Sequence, residues 1–93
     1  MADIDVLSAD IQGGRLSKLK IRFKGNLSRE IDRDTALDWL YQGNSLIPVA
    51  GHGHHVSRAA CLERVEVDGE WFVRTDTQKI NQDEIHFPAS HGH

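Results

Sequence analysis

Between Lys18 and Lys24 the chain alternates without a break: Leu19, Ile21 and Phe23 fall on one parity, Lys18, Lys20, Arg22 and Lys24 on the other. A period of two places the apolar side chains on one face of a strand and the cations on the other. Such a strand needs a sheet around it and a second layer over its Leu-Ile-Phe face, which makes helices alone insufficient to build the fold. Gln12-Gly13-Gly14-Arg15 just before it reads as a tight turn, so an earlier strand pairs with it. That earlier strand alternates over Asp3-Ile4-Asp5-Val6 and then changes phase, with Leu7, Ala9 and Ile11 on the other parity. One extra residue near Leu7, a bulge, reconciles the two halves.

The period then changes. Ser28 to Ile31 forms a brief extended piece, and Asp32 reads as a helix N-cap with Asp34 in the first turn, where a negative charge suits the helix dipole. Ala36, Trp39, Leu40 and Gly43 keep helical spacing, Leu37 and Tyr41 widen the stripe, and Trp39 and Tyr41 are expected to face the interior. Gly43-Asn44 is the stop. Ser45 to Val49 reads as a short strand that Pro48 demotes to an edge or a bulge, and Gly51-His52-Gly53-His54-His55 as a loop. From Cys61 to Val67 strand character returns, with Val65 and Val67 inward and Arg64 and Glu66 outward. Asp68-Gly69 predicts a type I′ hairpin turn into Trp71 to Thr75. Ile85 and Phe87 are the apolar anchors of an otherwise polar last stretch. The expected architecture is α+β: a small antiparallel sheet of four to five strands with one α-helix packed on it, in β-β-α-β-β-β order. Residues 1–88 form the expected single domain and 89–93 a disordered C-terminal tail.

Composition narrows the class. The chain has 93 residues, formal charge −3 and one cysteine, Cys61, which excludes an intrachain disulfide. No apolar run approaches the roughly 18 residues of a membrane span, and the first residues carry no secretory signal, so a cytoplasmic protein with no membrane partner is expected. A domain this small buries a thin core, and a homodimer is the expected way to extend it.

Three stretches carry a family resemblance. Asp34-Thr35-Ala36-Leu37-Asp38-Trp39-Leu40-Tyr41-Gln42-Gly43-Asn44 resembles a helix of the type xxEAIxxIxxGN, Val67 to Asp76 resembles xxxGxxYLRTxxD, and Asp83 to Pro88 resembles a closing DNLxxLP. Together they resemble, over roughly residues 3–88, a family of short bacterial domains of unknown function, the DUF3892-like domains. The chain departs at Glu84, where that pattern has Asn, and at the histidine loop, which it lacks. The resemblance implies a compact α+β domain of bacterial origin; it brings no activity, cofactor or catalytic residue with it.

Four constellations bear on function. His52, His54 and His55, with Cys61 and His86, offer nitrogen and sulfur ligands that zinc or nickel accepts, set against a solvated loop whose histidines are incidental. His91-Gly92-His93 reads as a frayed end. Arg15, Lys18, Lys20, Arg22 and Lys24 have no acidic residue among them and are the candidate grip on phosphates. No aromatic shares the face of these cations, however, and Asp3 and Asp5 on the neighbouring strand can neutralise them, so nucleic acid is not the expected partner. Cys61 near the histidines invites a cysteine–histidine dyad, but its place before an apolar strand predicts a buried, inert thiol. Ser45 and Ser57 lack any nucleophile context. Trp71 beside Arg74 is the candidate anchor for a protein contact, against internal pairing of Arg74 with Asp76 or Asp83; Asp83 is also a candidate acceptor of backbone N–H groups. The reading is a non-catalytic binding or protein-interaction module that self-associates. Metal binding through the histidine loop is the alternative, and weak nucleic-acid binding through Arg15 to Lys24 a further one.

Overall fold

A computed structural model describes residues 3–23, 27–51 and 56–88. The elements run β1 (Asp3–Gln12), β2 (Arg15–Arg22), β3 (Ser28–Asp32), α1 (Arg33–Tyr41), β4 (Ser45–Ala50), β5 (Ser57–Arg58), β6 (Glu63–Val67) and β7 (Glu70–Arg74). β3-β2-β1-β4-β5 form one five-stranded sheet, and β6-β7 a separate hairpin. The α+β class and the helix on the sheet are as expected, but the sheet is mixed, because β1 and β4 pair in parallel. The cause is α1: a helix carries the chain back to the end from which β3 started, so the next strand runs in the same direction as β3 and β1.

β1 and β2 pair with a register shift between Val6 and Ser8, which isolates Leu7 as the extra residue, and with a second shift that isolates Ser17. The two bulges let Ile4, Val6, Leu16, Leu19 and Ile21 share one buried face despite their mixed parity. Ile31, Ala36, Leu46, Leu62 and Val73 complete that core. Asp32 caps α1 as expected, its carboxylate accepting the Thr35 N–H at 2.8 Å, and that contact holds its carboxyl below the usual range. Among the described residues no helix is long and apolar enough to cross a membrane.

Several expectations change on packing. Tyr41 is 72% exposed, because α1 ends at that residue and the ring lies at the surface beside Arg64 instead of in the core. Trp39 does turn inward, against Phe23, with ring centres 5.8 Å apart. Pro48 is buried inside β4 rather than at an edge; β5 covers that side, and the Pro48 carbonyl accepts the Ala59 N–H. Cys61 is exposed, since β6 begins two residues later and Leu62 takes the core position. Phe72 and Val73 point to opposite faces of β7, yet both are buried. Val73 joins the core, while the guanidinium groups of Arg15 and Arg33 lie over the Phe72 ring at 5.4 and 5.5 Å.

Two turns depend on left-handed backbone. Asp68 and Gly69, at φ 53° and 81°, make the expected type I′ turn. Gly14, at φ 78°, brings its carbonyl to the Asp83 N–H at 2.8 Å, and a Cβ there would stand 3.1 Å from Gln82 Cγ. Gly14→Ala is expected to cost about 1–2 kcal/mol, the penalty of a left-handed residue with a Cβ. A lower urea midpoint at unchanged slope checks it.

Candidate interaction face

Trp71 and Arg74 do not form a patch. They lie three positions apart on a strand, so they point to opposite faces: Trp71 is 38% exposed, Arg74 1%. The Arg74 guanidinium donates to Asp76 at 2.7 and 3.0 Å, to Glu84 at 3.1 Å and to the Gln82 carbonyl at 2.8 Å. Pairing is therefore internal, with Glu84 rather than Asp83 as the second carboxylate. The bond from Arg74 holds the Asp76 carboxyl below its ordinary range. Glu84 also bonds the backbone of β7, its N–H to Val73 and its carbonyl to Thr75, so the chain after β7 is laid along that strand.

Asp83 pairs with Arg33 instead. Its Oδ2 accepts the Leu16 N–H at 2.6 Å and Arg33 Nε at 2.7 Å, while Oδ1 accepts the Val73 N–H at 2.9 Å. Burial alone would raise this carboxyl; the bonds from Arg33, Leu16 and Val73 outweigh it and hold the group below its ordinary value. With its lone pairs so engaged, Asp83 joins β2, α1 and β7 and is not free for acid–base work.

The partner that Trp71 does have is Arg64. Its guanidinium lies 4.0 Å from the centre of the Trp71 ring and 4.7 Å from that of Tyr41. Leu37 and Asp38 of α1 complete a shallow groove with these three. The hairpin turn fixes the arrangement. Pairing Val67 with Glu70 sets Glu66 opposite Trp71 and Arg64 opposite Val73, which places Arg64 diagonally beside Trp71 on one face. Sequence reasoning found Trp71 and the turn; counting back from the turn would have found Arg64. Tyr41 joins because its exposure at the end of α1 leaves the ring free to stack.

The cations of β2 are not a continuous positive stripe. Lys18 stands opposite Asp10 and Asp32, and Lys20 opposite Glu30 and Ser8. Arg22 pairs with Asp5 at 3.3 Å, and Arg15 with Glu70. Acidic side chains from both neighbouring strands therefore alternate with the cations; Lys24 lies outside the described residues. His52, His54, His55, His91 and His93 also lie outside them. Cys61 lines a hollow beside Gly43 and Asn44, whereas His86 pairs with Glu84 at 2.7 Å. Among the described residues no group of three His, Cys, Asp or Glu could hold a metal ion.

Among the described residues β3 is an edge strand of the sheet, and its charges oppose self-pairing. A two-fold antiparallel pairing centred on Arg29, Glu30 or Ile31 sets Arg29 against Arg29, Glu30 against Glu30, or Glu30 against Asp32. Like charges directly opposite one another destabilise a ladder and guard an edge. No family model, curated protein or solved structure matches the chain.

Proposed function

We propose that this protein is a non-catalytic protein-interaction module that self-associates, and that it docks through the groove between α1 and the β6–β7 hairpin. The observation that carries this reading is the exposed Tyr41 and Trp71 pair stacked on Arg64. Trp, Tyr and Arg are the residue types that most often supply binding hot spots, and Leu37 adds apolar surface beside them. Two other surfaces are less suited to a second copy: the β2 cations stand opposite acidic residues of the neighbouring strands, charges that are costly to dry, and the β3 edge repels itself. A place among the bacterial DUF3892-like domains remains part of this proposal.

Trp71→Ala is expected to weaken self-association roughly thirtyfold, the effect of losing a hot spot of about 2 kcal/mol, while the monomer stays folded. Sedimentation equilibrium on the wild type and the variant measures this. An unchanged association constant, or a wild type that is monomeric throughout, rejects the reading.

A further inference from the structure

Arg64 stands apart among the arginines that the fold covers. Arg22, Arg33 and Arg74 each hold a carboxylate, and even the more exposed Arg15 holds Glu70. Arg64 has no ion-pair partner among the described residues, and its Nε is buried without a hydrogen-bond acceptor. The Trp71 and Tyr41 rings lie against the guanidinium and hold it at the groove, which leaves its Nη N–H groups as its means of binding an acceptor. Planar, pre-oriented guanidinium groups of this kind match a carboxylate best.

A carboxylate lines the same groove. Asp38 lies on α1, and its bonded partner is the neutral amide of Gln42 at 2.9 Å. Opposite charges thus share one groove without pairing to each other. Two-fold symmetry resolves this, because in an isologous contact residue i of one copy meets residue j of the other, and j meets i. We infer that two copies of this chain meet groove to groove about a two-fold axis, with Arg64 of each bonded to Asp38 of the other. This rests on the self-association proposed above and adds the occupant's orientation and the charge pair that sets it. The pair is counted twice in the dimer, and Tyr41, Trp71 and Leu37 close around it and exclude water.

The test is a charge exchange read by native mass spectrometry and sedimentation. Arg64→Glu and Asp38→Lys should each weaken the homodimer at least tenfold. Mixing the two variants should restore a heterodimer, since the introduced glutamate then meets the introduced lysine, while the native Asp38 of one chain still meets the native Arg64 of the other. The double variant, carrying both changes in one chain, should again form a homodimer. If Arg64→Glu fails to fold, Arg64→Gln keeps the apolar stem, and it should weaken the dimer and flatten its dependence on salt. Single variants that dimerise like the wild type overturn the inference, as does a mixture of folded variants that stays monomeric. Loss of the dimer in Trp71→Ala together with intact dimers in the charge variants would reject this pairing and keep the interaction reading. A Trp71→Ala variant that dimerises normally removes the reading on which the inference rests.

Discussion

Replacing Asp83 with alanine is expected to cost about 3–5 kcal/mol, the loss that follows removal of one partner from a buried, hydrogen-bonded ion pair. The residue is 3% exposed, and Leu16 N–H, Val73 N–H and Arg33 all converge on its two oxygens. Without the carboxylate, two backbone donors and a largely covered guanidinium lose their acceptor at once. Each orphaned donor carries its own desolvation penalty. For a chain of this length the melting temperature should fall by roughly 12–40 °C, at about 4–8 °C per kcal/mol. Asp83→Asn keeps the shape but presents an NH₂ where one oxygen accepted, so it should lose about half as much. Differential scanning calorimetry decides; a melting temperature within a few degrees of wild type in both variants would mean the carboxylate is not holding these elements.

The same residue sets an acid dependence with a definite sign. The folded carboxyl lies below its unfolded value, so its contribution is complete above about pH 4 and is lost as pH falls through the folded value. The gap in melting temperature between wild type and Asp83→Asn should therefore stay constant from neutral pH down to about pH 5 and narrow in stronger acid. A gap that widens on acidification would contradict the depressed carboxyl.

Arg74→Ala should be the second most damaging change, at about 2–4 kcal/mol, the range for emptying a large buried side-chain site. Its cause differs from that at Asp83. Asp76 and Glu84 are partly exposed and can rehydrate, so they are not left as buried charges. What is lost is the filled volume and the guanidinium that joins β7 to the Gln82 carbonyl and to Glu84. Arg74→Met refills most of the volume and should recover part of the loss, as apolar replacements of buried ion pairs often do. Hydrogen exchange distinguishes the two roles: amide protection at Thr75 and Glu84 should fall in both variants, whereas that of Leu19 and Ile21 should follow overall stability. Equal loss everywhere in Arg74→Met would show that the arginine has no local role in seating the segment after β7.

What the sequence discloses is whatever depends on neighbours. Alternation locates β2, Asp68-Gly69 locates the hairpin, and Asp32 is legible as a cap, because each rests on bonds within a few residues. The bulge at Leu7 shows as a change of phase; the one at Ser17 is hidden in the turn region beside it. The parallel pairing of β1 with β4 has no local signal, since it follows from where the helix delivers the chain. Nothing in the sequence points to Arg33 as the partner of Asp83, for the two lie 50 residues apart and Arg33 sits within an ordinary polar helix start. Periodicity turns Tyr41 inward because it describes an endless helix, whereas this one stops there. Of the proposed docking face, Trp71 is visible as an aromatic on the outward parity of its strand. Arg64 has outward parity too, but which ring lies beside it depends on the register that the hairpin sets.

The place of Asp83 in the chain also has a consequence for the order in which the protein is made. Synthesis runs from the N-terminus, so Leu16, Arg33 and Val73 all emerge before the carboxylate that joins them. Until then β1, β2 and α1 can associate, and Arg15 can already hold Glu70 of the hairpin, but the Leu16 and Val73 N–H groups have no acceptor. A nascent chain is thus held short of its final packing until nearly all of the described fold has been translated. At that point one aspartate supplies the acceptor that three earlier segments lack, and the growing chain moves from loosely gathered pieces to a cooperative unit in a late step.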